Sequence, residues 1–263
     1  MEIWEALRLE DIKTNGRTQP LVVECIGPQP TGQKRCSFVV KALNRPETTQ
    51  NSLGFEVIGN SLAHKLGVNT PTPALIQISE AFVEANSQRE LGLVPGFGAG
   101  CEYLKPGFAP LTQIMSLNEL EMSQARRIYA FDLLTQNPDR TLAGGGRPNC
   151  ALFQRDLVAF DFEMCFSFIH SLSVVGEAWE VSKHGIYRNH IFYSALRREK
   201  KGWALDFSGF MTDLRALNIE EFVQNMRELP DNWIAYLTKI EAHLYEIVQN
   251  TDAFERELYR SLA

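Results

Sequence analysis

Hydrophobic residues in the first third of the chain form short runs that are separated by polar segments rich in proline and glycine. Residues 20–26 and 37–42 are mainly apolar, and they predict two paired strands with a connector over 27–35. Residues 1–15 are predicted as a short helix or an extended leader. Residues 53–67 repeat apolar side chains at helical spacing and end at a glycine, which predicts a helix. Its apolar stripe consists of Phe55, Ile58, Leu62, Ala63 and Leu66.

The second half of the chain is patterned mainly as helices. Residues 123–134 carry apolar side chains at helical spacing, and this helix is expected to end before an Asn-Pro pair. Two short apolar runs, 150–153 and 157–160, are separated by a polar turn and predict a hairpin. Further helical stripes cover 219–229 and 233–248. We therefore predict an α+β fold with a β-rich N-terminal part and a mainly helical C-terminal part.

Composition and charge narrow the class of protein. A chain of 263 residues with 44% hydrophobic residues suits one globular unit with a sizeable core. Without an apolar run of about 18 residues or a signal-peptide pattern, we expect a cytoplasmic protein with no membrane partner. The formal net charge of −6 argues against general nucleic-acid binding. Five cysteines without CxxC spacing favour free thiols over a disulfide framework or a zinc site.

Three polar residues stand where the predicted elements meet. Asp139 opens the loop after the helix, Asn149 closes it at the hairpin, and Asp161 follows the second hairpin strand. Phosphoryl transfer depends mainly on positioning and on charge neutralisation. One carboxylate must meet the acceptor hydroxyl, whereas a second carboxylate and an amide oxygen suit Mg²⁺. The layout predicts a phosphotransferase in which Asp139 serves the acceptor and Asp161 and Asn149 serve the metal.

A lysine and a glutamate in the N-terminal part extend this candidate set. Lys41 lies at the end of the second predicted strand, and Glu56 lies in the predicted helix that follows. Protein kinases place a phosphate-binding lysine on such a strand and pair it with a helix glutamate. Each residue could instead be an ordinary solvated charge. The connector over 27–35 contains two glycines and is either a phosphate-binding loop or a plain hairpin loop.

The motifs around these residues resemble those of the compact HipA-like kinase domains, which are distantly related to phosphatidylinositol kinases. The resemblance rests on Asn137-Pro-Asp-Arg-Thr141, Arg147-Pro-Asn149, Ala159-Phe-Asp-Phe-Glu163 and the helix end Leu62-Ala-His-Lys-Leu-Gly67. The sequence departs from protein kinases between Asp139 and Asn149, because these residues are separated by more than the usual interval of about five positions. The extra length contains Gly144-Gly145-Gly146, which we interpret as an insertion in a working loop.

The resemblance implies a bilobal protein-kinase-like fold that uses ATP and Mg²⁺. It assigns 1–100 to a small antiparallel β lobe with one helix that binds the nucleotide phosphates. It assigns 101–108 to a hinge whose backbone contacts adenine, and 109–263 to a helical lobe with the catalytic and metal-binding loops. The implied site consists of Asp139, Lys41 and Arg140 for catalysis, Lys41, Glu56, Glu102 and Tyr103 for the nucleotide, and Asn149, Asp161 and Glu163 for the metal.

Three functions are compatible with these motifs. The first is a kinase that acts on Ser or Thr of a protein, as HipA-type relatives do. The second is a kinase for a small hydroxylated metabolite, because an acid at the place of Glu163 also occurs in aminoglycoside- and choline-type kinases. The third is a nucleotide-binding pseudokinase regulator, which the long loop between Asp139 and Asn149 favours. Every charged residue that the chemistry requires is present, and this favours an active kinase.

Overall fold

A computed structural model describes residues 1–14, 16–28, 34–104, 107, 109–111, 117–141, 148–171, 176–201 and 205–263. Strands predominate up to residue 102, and helices predominate after residue 118. The predicted mixed α+β class is therefore confirmed. The glycine triplet at 144–146, which we interpreted as an insertion, lies outside the described residues. Within the described ranges, no helix combines the length and the apolar character that crossing a bilayer requires.

Five strands of the N-terminal part form a closed barrel. They are β1 Ile3–Ile12, β2 Leu21–Ile26, β3 Arg35–Lys41, β4 Pro73–Ile78 and β5 Gly96–Glu102. Their order is β1-β2-β3-β5-β4, with antiparallel neighbours except for the parallel pair of β1 and β4. Alternate side chains point inward, so the interior is filled by apolar groups such as Trp4, Leu21, Phe38 and Ile76. The structure differs from the predicted antiparallel lobe in this parallel closing pair.

Strand β1 occupies most of the segment that was predicted as a short helix or an extended leader, so the helical alternative is wrong. Its register against β2 shifts between Ala6 and Arg8 and again between Leu9 and Asp11. The predicted strands over 20–26 and 37–42 are confirmed as β2 and β3.

Helix α1, Gln50–Lys65, confirms the helix that was predicted over 53–67. Thr49 and Ser52 form a capping box in which each side chain accepts a hydrogen bond from the backbone N–H of the other. Its buried apolar residues belong to the large core that continues through the helical part. Gly54 permits this packing, because a Cβ at that position would lie 2.0 Å from the carbonyl oxygen of Trp233. A short helix, α2 Glu80–Ala85, follows β4.

The C-terminal part combines a small sheet with helices. Strand β6, Ala109–Pro110, pairs with the predicted hairpin, which is confirmed as β7 Cys150–Phe153 and β8 Asp156–Ala159. The helices are α3 Glu119–Leu134, α4 Tyr193–Lys201, α5 Ser208–Arg215, α6 Ile219–Met226, α7 Leu237–Gln249 and α8 Thr251–Ser261. Short 3₁₀ turns lie at Ser87–Arg89, Ser167–His170, Val181–Lys183, Ile186–Asn189 and Asp231–Trp233. Helices α5 and α8 were not predicted.

Candidate active site

The ammonium group of Lys41 lies at the centre of the candidate site. Lys41 is the last residue of β3, and its Nζ donates to Glu56 Oε2 at 2.8 Å and to Asp161 Oδ1 at 2.5 Å. The same Nζ donates to Glu163 Oε2 at 2.9 Å. Glu56 belongs to α1, whereas both other acids follow β8. The structure thus brings together four of the predicted nucleotide- and metal-binding residues, and the side chain of Lys41 is only 10% exposed.

The charges in this cluster are strongly interdependent. Burial lowers the pKa of Lys41, but the charges of the three carboxylates outweigh it, so the pKa lies well above its usual value. Burial raises the pKa of Glu163, and Lys41 opposes that effect. One ammonium group faces three carboxylates, so negative charge is in excess when all the acids are ionised. This excess favours the binding of a cation.

The donor set of the cluster fits a divalent metal ion. One oxygen from each of Glu56, Asp161 and Glu163 can be chosen so that all three lie within 4.8 Å of one another. Carboxylate oxygens are the hard ligands that Mg²⁺ prefers. The set differs from the predicted one, because Glu56 joins the two acids that were assigned to the metal.

Glu56 also fixes the backbone beside the metal candidates. Its Oε2 accepts a hydrogen bond of 2.9 Å from the N–H of Phe162, which lies between the two acids of the Asp-Phe-Glu motif. Helix α1 approaches this motif closely at Gly59, because a Cβ there would lie 2.9 Å from Phe162 Cβ. The helix therefore holds both Lys41 and the motif through a single carboxylate.

Asp139 and Asn149 are in direct contact although a long loop separates them. Asn149 Nδ2 donates to Asp139 Oδ2 at 2.7 Å. Because the amide nitrogen faces Asp139, the amide oxygen is the atom of Asn149 that could bind a metal. Burial raises the pKa of Asp139, and the charge of Asp161 raises it further. The hydrogen bond from Asn149 and the charge of Arg17 act in the opposite direction without reversing the shift.

Several residues of the site have left-handed backbone conformations. Asn149 has a φ of 46°, Asp161 a φ of 63° and Phe166 a φ of 63°. Asn and Asp tolerate this region better than most residues, whereas Phe does not. Such conformations cluster at functional sites because the surrounding structure must hold them in place.

Arg140 does not fit the predicted catalytic role. Its side chain is completely buried, and its guanidinium group forms an ion pair with Asp132 of α3. Its Nη1 donates to the carbonyl oxygens of Asn149 and Phe160. The guanidinium group therefore joins α3 to the backbone at Asn149 and at Phe160. These contacts suit a positioning role for Arg140 rather than a contact with an acceptor.

Asp132 and His190 were missed as parts of this scaffold. His190 Nε2 lies 3.0 Å from Asp132 Oδ2, and the His190 backbone bridges to Thr141. Burial lowers the pKa of His190, which outweighs the attraction of Asp132. The sequence analysis could have noticed Asp132, because it interrupts a run of apolar residues on the buried face of α3. The three histidines at 170, 184 and 190 show hydrogen bonds or ring contacts, as expected for packing residues.

Glu102 and Tyr103 do not offer free backbone N–H groups to a nucleotide. The N–H of Glu102 donates to Thr72 O at 2.9 Å, and the N–H of Tyr103 donates to Ser37 O at 2.8 Å. The Tyr103 hydroxyl contacts Lys13 Nζ at 2.9 Å. The predicted contact with adenine at these two positions is therefore restricted to carbonyl oxygens or side chains.

The described ends of the connector over 27–35 lie at the opposite end of the barrel from Lys41. In the β2–β3 ladder, Ile26 pairs with Arg35, whereas Leu21 pairs with Val40. Strands rise about 3.3 Å per residue, so this connector begins roughly 20 Å from Lys41. The β1–β2 turn and the connection between β4 and β5 lie at the Lys41 end, since Ile12 pairs with Leu21 and Ile78 pairs with Gly96. Residues 29–33 of the connector lie outside the described residues.

Comparisons with known proteins identify the family of the chain. No curated protein matches the chain. A solved structure that is similar to it is that of a Helicobacter pylori proinflammatory kinase, CtkA, with 10% sequence identity and a TM-score of 0.49. The similarity covers 93% of this chain and 96% of that chain. Residues 14–261 match the family model that is described as HipA-like kinase, and the chain therefore belongs to the HipA-like kinase family.

Proposed function

We propose that this protein transfers the γ-phosphoryl group of ATP to a Ser or Thr hydroxyl of a protein in the presence of Mg²⁺. The observation that carries the proposal is the cluster in which Lys41 contacts Glu56 and Asp161. The Asp139–Asn149 pair supplies the acceptor side of the same site, since the charge of Asp161 acts on Asp139. Membership of the HipA-like kinase family supports the protein acceptor.

Each residue has a definite part in the proposed reaction. Asp139 orients the acceptor hydroxyl and accepts its proton while the oxygen forms a bond to the γ-phosphorus. The bond from phosphorus to the bridging oxygen breaks, and its electron pair stays on the ADP that leaves. Lys41 contacts the nucleotide phosphates and is oriented by Glu56. Asp161, Glu163 and the amide oxygen of Asn149 would hold Mg²⁺, which neutralises charge on the phosphate oxygens when it is bound.

The proposal includes a division into two lobes. Residues 1–100 form the nucleotide-binding lobe, 101–108 form the hinge, and 109–263 form the lobe with the catalytic and metal-binding loops. The separate apolar core inside the barrel supports this division. The contact between α1 and the turn at Asp231–Trp233 supports a cleft that both lobes line.

The first experiment measures thermal unfolding with and without ATP and Mg²⁺. At a nucleotide concentration about 100 times the Kd, binding adds about 2.7 kcal/mol of stability. At about 2–4 °C per kcal/mol, the expected rise in Tm is about 5–10 °C. Asp161→Asn should abolish the Mg²⁺-dependent part of this rise, whereas Asp252→Asn, an exposed position on α8, should retain it. A wild-type protein whose Tm does not respond to any nucleotide would contradict the proposal.

A small-molecule kinase is the second candidate function. Glu163 is part of the charged cluster rather than a solvated acid, because its side chain is only 14% exposed and contacts Lys41. An acid in this place suits kinases of the aminoglycoside and choline type. Labelled ATP distinguishes the two candidates when it is incubated with the protein and with myelin basic protein as a probe. Phosphoserine or phosphothreonine supports the protein acceptor, whereas transfer only to small alcohols supports the alternative.

A further inference from the structure

The β1–β2 turn, residues 13–20, lies at the same end of the barrel as Lys41. Ile12 pairs with Leu21, and Leu21 pairs with Val40, the residue before Lys41. The connection between β4 and β5 lies at this end too, because Lys41 pairs with Ala99 and Ile78 pairs with Gly96. It contains one glycine in its described part, Gly16.

A buried arginine anchors this turn. Arg45 follows β3, and its Nη2 donates to Gln19 O at 3.1 Å while its Nη1 donates to Leu91 O at 3.0 Å. Gln19 has a φ of 45°, which this anchor helps to hold. Burial lowers the pKa of Arg45. The end of the turn thus has a fixed place relative to the strand that carries Lys41.

Arg17 lies in the middle of the anchored turn. Its Nε is 3.3 Å from Glu47 Oε2, and the two side chains are 67% and 57% exposed. Exposed pairs of this kind contribute only about 0–1 kcal/mol, so a stronger anion can take the guanidinium group from Glu47. Arg17 is therefore weakly held at the end of the barrel that carries Lys41. Its charge also lowers the pKa of Asp139, although the burial of that carboxylate has the larger, opposite effect.

Among the residues that the structure describes, the two cations of the predicted catalytic set are committed to acids. Lys41 contacts three carboxylates, and Arg140 is completely buried against Asp132. Phosphoryl transfer spreads negative charge over the equatorial oxygens of the transferred group. An arginine is suited to these oxygens, because its planar fork can donate two parallel hydrogen bonds.

We propose that Arg17 leaves Glu47 when ATP binds and donates hydrogen bonds to the oxygens of the transferred phosphoryl group. This assignment rests on the proposed kinase function and adds a phosphate-contacting residue to it. Because Arg17 would contact the γ-phosphoryl group, it should distinguish nucleotides that carry this group from ADP. Glu47 acts as the partner that holds Arg17 in the nucleotide-free protein.

The test measures the affinities of AMP-PNP and ADP, each with Mg²⁺, by titration calorimetry. In Arg17→Ala, the affinity for AMP-PNP should fall about tenfold or more, as expected for hydrogen bonds to a charged group, and that for ADP should change less than about twofold. Arg35→Ala is the matched control, because Arg35 is also exposed and pairs with a glutamate but lies at the other end of the barrel. Glu47→Gln should increase the affinity for AMP-PNP, since it removes the competing carboxylate.

Two outcomes would overturn the assignment, and they differ in what they leave standing. If Arg17→Ala keeps the wild-type ratio of AMP-PNP to ADP affinity, Arg17 does not contact the γ-phosphoryl group, while the kinase proposal stands. If the wild-type protein binds neither nucleotide, both proposals fail. The Tm of Arg17→Ala without nucleotide shows whether this variant is folded. It should equal the Tm of Arg35→Ala within about 2 °C, because both variants lose an exposed ion pair.

Discussion

At the scale of single residues, Asp139 should separate chemistry from binding. Asp139→Asn should lower the rate of phosphoryl transfer by about 10²- to 10⁴-fold, because the acceptor hydroxyl loses its base and its orienting partner. The ATP-dependent rise in Tm should remain, since the Lys41 cluster is unchanged. Parallel rate and Tm measurements check this prediction, with Asp252→Asn as the exposed control. Equal losses of transfer and of nucleotide binding would show that Asp139 acts through binding instead.

The same residue predicts the acid side of the pH–rate profile. Burial and the charge of Asp161 raise the pKa of Asp139 above the usual value for aspartate, which is about 3.9. A base works only when it is ionised, so kcat/KM should fall as the pH decreases through this raised pKa. The loss should therefore begin at a higher pH than an ordinary aspartate would give. A flat rate down to about pH 4 would contradict the role of Asp139 as a base.

The residue types of the site could be predicted, but some of their roles could not. Lys41 and Glu56 were expected to pair, and they do so at 2.8 Å. The direction of the Glu163 side chain could not be predicted from sequence, because it depends on the left-handed backbone conformation of Asp161. Arg140 follows Asp139 directly, yet its side chain points into the core and towards Asp132. The sequence shows which residues are neighbours in these two motifs. It does not show the backbone torsions that direct the neighbouring side chains to opposite sides.

At the scale of elements, the position of α1 depends on the close approach of Gly54 to Trp233 and of Gly59 to Phe162. Gly54→Ala should destabilise the protein, because its Cβ would collide with the carbonyl oxygen of Trp233. At a helix position with free space around it, the same change would stabilise the protein by about 0.5–1 kcal/mol. A loss of stability would therefore be due to the packing against Trp233. The expected cost is about 1–3 kcal/mol, or a fall in Tm of about 2–12 °C.

Ser61→Ala on the same helix is the control for this prediction. The Ser61 hydroxyl is buried and has no hydrogen-bond partner among the residues that the structure describes. Its removal should leave Tm unchanged or slightly higher, because no bond is lost. Equal Tm values for Gly54→Ala and Ser61→Ala would show that the turn at Trp233 yields to the added methyl group.

Most long elements could be predicted from periodicity, whereas β1 could not be assigned as a strand. Two register shifts against β2 break the strict alternation of buried positions along β1. The apolar residues Ile3, Trp4 and Leu7 therefore match a helical spacing as well as a strand. The parallel pairing of β1 with β4 depends on residues about seventy positions apart, which no local pattern reveals.

At the scale of the whole molecule, the site lies where the barrel strand β3, helix α1 and the β8 end meet. Strand β3 supplies Lys41, α1 supplies Glu56, and the segment after β8 supplies Asp161 and Glu163. The separations in sequence reach 122 positions. The motifs predicted which residues come together, because the resemblance to HipA-like kinases places these residues in one site. The connector over 27–35 was left open as a phosphate-binding loop or a plain hairpin loop, because the end of the barrel at which it lies depends on the strand pairing.

Lys41 supplies the acidic cluster with a counter-ion of its own. Its ammonium group contacts the three acids whose oxygens could otherwise hold a divalent ion. The nucleotide-free protein should therefore need no metal for its stability, and EDTA should leave its Tm unchanged. Mg²⁺ that arrives alone must compete with a tethered ammonium group. Metal and nucleotide should accordingly enter together, with the phosphates drawing Lys41 away from Asp161 and Glu163 while Glu56 still orients it.

Lys41→Met tests this order of addition, because it leaves the acids without their internal cation. Mg²⁺ alone, at about ten times its Kd, should then raise Tm by about 3–6 °C, whereas the wild-type protein should respond only when ATP is added. Lys183→Met is the control, since that lysine forms an exposed pair with Glu180. Equal responses of the wild type and Lys41→Met to Mg²⁺ alone would contradict the competition. Because the Lys41 ammonium group competes with it, free Mg²⁺ does not occupy the acidic cluster before the nucleotide binds.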